Sequence, residues 1–115
     1  MSQQQLTNEQ IVANYKEMKQ QQSTIMSKIS EIEADQGEYN LVISAIEHLE
    51  PSRKCFRMIG GVLVERTVGD VLPVVKQNRD GIKDLVQRLE EQLTAKTKEL
   101  NDYAAKYNIR VGPAQ

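Results

Sequence analysis

The chain has 115 residues, room for one domain. Aromatics are 4%, tryptophan is absent and Phe56 is the sole phenylalanine, which excludes a wide packed interior, whereas 27% charged residues with abundant Glu, Gln, Lys, Leu and Ile make a long-helix composition. Fifteen basic and sixteen acidic residues are interspersed to a net charge of -1 without a basic stripe, so nothing points to nucleic acid, and no apolar run approaches the ~20 residues of a membrane helix.

The opening stretch, Met1 to Glu9, lacks the apolar core of a secretory signal, and a soluble cytoplasmic protein without membrane contact is expected. A first helical arm is predicted over about 8–50. Thr7-Asn-Glu-Gln10 has the form of a capping box at its start. From Ile11 a 4-3-4-3 spacing gives Ile11, Tyr15, Met18, Gln22, Ile25, Ile29, Ile32, Gln36, Tyr39, Ile43, Ile46 and Glu50. Nine of these twelve are apolar and the register never slips, as a coiled coil requires. Pro51, which lacks an N–H and biases Glu50 away from helix, is the stop signal.

A β-hairpin is predicted over about 54–66, two strands around Gly60-Gly61, where a tight turn needs positive φ. A two-residue loop sets Ile59 against Val62, Met58 against Leu63, Arg57 against Val64 and Phe56 against Glu65. Alternation then places Ile59, Val62 and Val64 on one face and Phe56, Met58 and Leu63 on the other. Both faces are apolar, both edges are open, and an isolated hairpin is marginal in water. One thin coiled coil cannot cover both faces, so hairpins of other subunits are expected to close a shared sheet or barrel. The alternative is a segment that folds back on its own helices.

The second arm is predicted over about 68–108. Its heptad positions are Val68, Leu72, Val75, Arg79, Ile82, Val86, Leu89, Leu93, Lys96, Leu100, Tyr103 and Tyr107, ten of them apolar. Thr67 with Asp70 three residues on offers an N-cap; Pro73 predicts a kink or a short first turn; Gly69 and Gly81 each weaken helix by roughly 1 kcal/mol relative to Ala. Each arm would span roughly 60 Å. Equal lengths let the second fold back along the first, bringing the termini together at one end and the hairpin to the other. Gln22, Gln36, Arg79 and Lys96 interrupt the seam, where polar residues fix register or snorkel. The expected fold is an all-α dominated, antiparallel two-helix coiled-coil hairpin with a single β-hairpin at its base.

No catalytic constellation is present and no enzyme activity, cofactor or metal is expected. Gly60-Gly61 is followed by no Gly-Lys-Ser/Thr, so it is not a phosphate loop. His48 is the one histidine and has no cluster around it for zinc. Cys55, the one cysteine, can form no intrachain disulfide and reads as a buried structural thiol. Glu90-Glu91 lies in a charged helical stretch and reads as a solvated face.

The run Arg53-Lys-Cys-Phe-Arg-Met-Ile-Gly-Gly-Val-Leu-Val-Glu-Arg-Thr-Val68, with Leu72-Pro73 after it and Asn108-Ile-Arg110 near the end, resembles the β-type subunits of prefoldin over nearly the whole chain. The resemblance implies a subunit of a hetero-hexameric, ATP-independent co-chaperone, with other α-type and β-type prefoldin subunits as partners. It implies that Cys55, Phe56, Met58, Ile59, Gly60, Gly61, Val62, Leu63 and Val64 serve subunit assembly in a double β-barrel. It implies that the distal ends of the arms hold unfolded actin and tubulin and pass them to the cytosolic chaperonin. The apolar groups at those ends are Leu6, Ile11, Val12, Tyr103, Tyr107, Ile109 and Val111; Ile11, Tyr103 and Tyr107 also fit the heptad and serve equally to complete the seam. A structural coiled-coil adaptor or cytoskeletal tether is the alternative; it accounts for the heptads but not for the two-faced hairpin.

Overall fold

The computed structural model describes residues 5–110. Four elements follow one another: α1 (Asn8–Ile46), β1 (Lys54–Ile59), β2 (Val62–Thr67) and α2 (Val68–Lys106). They divide into two units, one of Ser30–Gln87 and one of residues 5–29 with 88–110. No helix among the described residues is long and apolar enough to cross a membrane.

Seven-residue periodicity decides which helical side chains are covered. Along α1 every heptad position from Ile11 to Ile46 is buried or half-buried, and no other residue of that helix is. Along α2 all of the heptad positions are covered, joined by Val71 and a few half-buried neighbours. Each fully covered Val, Leu or Ile contributes roughly 1.5–3 kcal/mol. Only eight apolar side chains of the described residues reach full burial, and no polar or charged residue among them does.

The helix ends follow their cap residues. At the start of α1 the Thr7 N–H donates to Gln10 Oε1 at 2.8 Å and the Gln10 N–H to Thr7 Oγ1 at 3.1 Å, the reciprocal pair of a capping box. At the start of α2 the Asp70 N–H donates to Thr67 Oγ1 at 3.3 Å. After α2, Asn108 takes a left-handed φ of 53°, and the N–H of Ile109 reaches back to the Ala104 carbonyl at 2.8 Å. That is the six-to-one bond of a Schellman motif, with asparagine in the place glycine usually takes.

Two expectations are corrected. The heptad carries the first helix to Glu50, but α1 ends at Ile46. The Leu49 N–H bonds the Ile46 carbonyl only three residues back, at 3.1 Å, and the Arg53 N–H closes a turn on the Glu50 carbonyl at 2.9 Å. Pro51 excludes helical geometry at Glu50, so the last turn tightens ahead of it, and Leu49 rather than Glu50 is the half-covered residue there. Of the two alternatives at Pro73, a kink or a short first turn, the separate first turn is not formed: α2 is continuous through the proline. Only the bond to the Gly69 carbonyl is lost so near the helix start, and the cap at Thr67 together with burial of Val68 and Val71 holds that turn.

Candidate functional site

The hairpin belongs to the Ser30–Gln87 unit. Gly60 and Gly61 take φ of 55° and 81°, the two left-handed residues of a type I′ turn, whose twist matches the strands it joins. The register is the expected one: Ile59 opposite Val62, Met58 opposite Leu63, Arg57 opposite Val64, Phe56 opposite Glu65, and on to Lys54 opposite Thr67. Among the described residues the sheet has these two strands and no third, so both have an open edge. The turn bond makes Ile59 and Val62 a hydrogen-bonded pair, and pairs alternate from there. The outward N–H and C=O groups of β1 are therefore those of Lys54, Phe56 and Met58; those of β2 belong to Leu63, Glu65 and Thr67.

Below the hairpin, Ile43, Val71 and Val75 form the buried centre, with Tyr39, Ile46, Leu72 and Cys55 packed on it. The Cys55 thiol is free and half-buried there, not fully buried as expected. Val64 is half-buried too. The rest of the apolar hairpin is not covered: Phe56 is 62% exposed, Met58 67%, Leu63 60%, with Ile59 and Val62 also exposed. Beside β1 lies a groove of about 310 Å³, with Tyr39, Val42 and Ile46 of α1 and Val71 and Val75 of α2 along it and Arg57 as its one charge. Val71 was not among the expected core positions. It lies off the heptad and joins Val75 and Ile43 of α1 in the cluster on which Cys55 of β1 also packs.

The other unit holds the apolar residues of the helix ends. The Tyr103 hydroxyl donates to the Ile11 carbonyl at 3.3 Å and the Gln22 amide to Thr97 Oγ1 at 3.0 Å, so the two stretches run antiparallel. Lys96 Nζ donates to Gln21 Oε1 at 2.9 Å. Gln22 and Lys96 thus fix register, while Arg79, in the hairpin unit, bonds its own neighbour Asp80. Ile11, Tyr103, Tyr107 and Ile109 are half-buried, and the Tyr103 and Tyr107 rings lie 4.7 Å apart. Leu6 and Val12 are exposed, 38% and 46%; Val12 lies in a shallow depression with Asn8 and Ala13. Val111 falls outside the described residues. Lys98 bonds Asp102 Oδ2 at 2.8 Å, which with the attraction of that carboxylate raises the lysine's pKa; both groups are exposed, and the pair is a solvated helix contact. His48 is exposed, and among the described residues no group of His, Cys, Asp and Glu is gathered to hold a metal.

Two long helices joined by a hairpin that exposes apolar side chains on both faces and two open edges define a class of protein, the subunit of an assembly. The chain belongs to the prefoldin subunit family, whose family model matches residues 9–114. It is 64% identical over 108 residues to the probable prefoldin subunit 2 of Dictyostelium discoideum, covering 94% of this chain and 93% of that one. It is 51% identical over 105 residues to prefoldin subunit 2 of Arabidopsis thaliana, covering 90% and 71%. With prefoldin subunit 2 of Homo sapiens it shares 44% over 103 residues, covering 90% and 67%. Its fold is similar to the crystal structure of the prefoldin beta subunit from Thermococcus strain KS-1, with a TM-score of 0.80 over 97% of this chain and 100% of that one at 15% identity. Membership implies assembly with other prefoldin subunits.

Proposed function

We propose that the chain is one subunit of a cytoplasmic, hetero-hexameric, ATP-independent co-chaperone. In this reading residues 1–115 act as a single prefoldin-like domain. Its hairpin joins α-type and β-type prefoldin partners, and its helix ends hold non-native proteins such as actin and tubulin for transfer to the cytosolic chaperonin. The observation that carries the reading is the hairpin. Phe56, Met58, Ile59, Val62 and Leu63 are left exposed on both faces of a two-stranded sheet. Such a surface in water is an aggregation site unless other strands cover it. The exposed Leu6 and Val12 supply apolar surface for clients at the helix ends.

Native mass spectrometry of the tagged chain, purified gently from its own cells, tests this. A hetero-hexamer with one copy of this chain and five other small coiled-coil subunits is the expected result. A homo-oligomer, or a pairing with one long filamentous protein, would favour the structural adaptor instead.

A further inference from the structure

Charge on the hairpin is distributed unevenly. Between Arg53 and Thr67 stand four basic residues, Arg53, Lys54, Arg57 and Arg66, against one acid, Glu65. Alternation along the paired strands puts Cys55, Arg57 and Ile59 of β1 on one face with Val62, Val64 and Arg66 of β2. Arg57 and Arg66 are diagonal neighbours there. Arg53 continues the alternation, since the Val68 N–H donates to its carbonyl at 2.9 Å. Glu65 lies on the opposite face, where its carboxylate meets Lys54 at 3.3 Å. Among the described residues no carboxylate lies within 4.0 Å of Arg53, Arg57 or Arg66.

We propose that the open edge of β1, with the groove beside it, takes an extended strand from a different chain that carries a carboxylate flanked by apolar side chains. The carboxylate meets Arg57, a requirement that a second copy of the present chain added antiparallel does not meet. The inference rests on the assembly reading above. Ile59, Val62 and Val64 share their face with Arg57 and Arg66, so covering the apolar groups takes the guanidiniums out of water with them. A guanidinium enclosed without a carboxylate is strongly disfavoured, whereas one met by a planar, bidentate carboxylate is specific and well held. Main-chain groups of Phe56 and Met58 give the incoming strand its ladder, and Tyr39, Val42 and Ile46 give its apolar side chains a groove. A copy of this chain added antiparallel fails on charge. Antiparallel addition sets like faces on the same side, so it brings arginines to arginines and leaves its Glu65 on the other face.

The test uses the full-length tagged chain in its own cells, as wild type, Arg57→Gln, Arg57→Glu and Leu63→Asp, with complexes weighed by native mass spectrometry. Arg57 is exposed in the isolated chain, so helix content by circular dichroism is expected to stay at the wild-type level. Arg57→Glu is expected to lower the assembled fraction at least about tenfold, and Arg57→Gln by less. A photo-reactive phenylalanine analogue at position 58 is expected to link to a strand of a different subunit that contains Asp or Glu, and changing that acid to Lys is expected to restore assembly of Arg57→Glu. If Leu63→Asp fails to assemble while Arg57→Glu assembles as wild type, the hairpin joins subunits but charge does not choose them, and the proposal is overturned. Wild-type assembly by both variants overturns the assembly reading and the proposal together. A crosslink to a strand without an acid, or to a second copy of this chain, overturns the charge requirement.

Discussion

Gly69 and Gly81 both lie in α2, and replacing each with alanine is expected to have opposite effects. A Cβ added at Gly81 meets nothing within 4 Å, so Gly81→Ala gains helix propensity alone, about 1 kcal/mol. At Gly69 a Cβ would sit 3.2 Å from the Pro51 carbonyl oxygen and 3.4 Å from Pro51 Cβ. That oxygen accepts the Gly69 N–H at 2.9 Å, and the Val68 N–H holds the Arg53 carbonyl at the same distance. The loop cannot move away without loosening the bonds that tie it to the start of α2. Gly69→Ala should therefore lose about 1 kcal/mol despite the better propensity of alanine. Urea unfolding of both variants checks this; a stabilised Gly69→Ala would mean that the Pro51 turn yields freely. The composition marks both residues only as helix weakeners, because the close approach at Gly69 comes from a loop that no helical period describes.

At the scale of elements, the hairpin should be separable from the helices. Leu63 is exposed in the isolated chain, faces Met58 across the strands and has Glu65 two residues along on the same face. In Leu63→Asp the new carboxylate stays solvated while the chain is alone, so helix content should be unchanged. Covered by another strand it would be an unpaired charge, costing several kcal/mol, and assembly should fail in size-exclusion chromatography of the coexpressed subunits. Normal elution of the complex would show that this face stays open to water. The elements themselves were largely legible in the chain. Unbroken heptads located the covered face of both helices, and Gly60-Gly61 set the strand register, because both are local rules of spacing. What was not legible lies off the seven-residue repeat: the tightened turn that ends α1 at Ile46 ahead of Pro51, and Val71, which sits between heptad positions and joins Ile43 and Val75 in the cluster on which Cys55 packs. Arg57 was visible as a hairpin residue, but its lack of a carboxylate on its own face needed the observed placement of Glu65 with Lys54.

For the whole molecule, the proposed division of labour gives assembly to the hairpin and client capture to the helix ends, and the half-burial of most end residues sharpens what capture can use. Tyr103 packs on Tyr107 and bonds the Ile11 carbonyl, so Tyr103→Ala should chiefly lower the melting temperature. Leu6 and Val12 have apolar surface to spare without the helices parting. Replacing both with serine removes contact surface worth roughly 1–2 kcal/mol to a bound client, about a tenfold loss of affinity at one helix end. On the proposed reading several ends of an assembly share one client, and the loss at one chain is diluted by avidity. The expected outcome for the reconstituted complex is a several-fold rise in the amount needed to suppress aggregation of denatured actin, with assembly intact and melting close to wild type. Unchanged suppression by the Leu6→Ser, Val12→Ser complex, alongside loss of suppression by Tyr103→Ala only in step with its melting, would assign these ends to the seam of the coiled coil and leave client contact to the other chains.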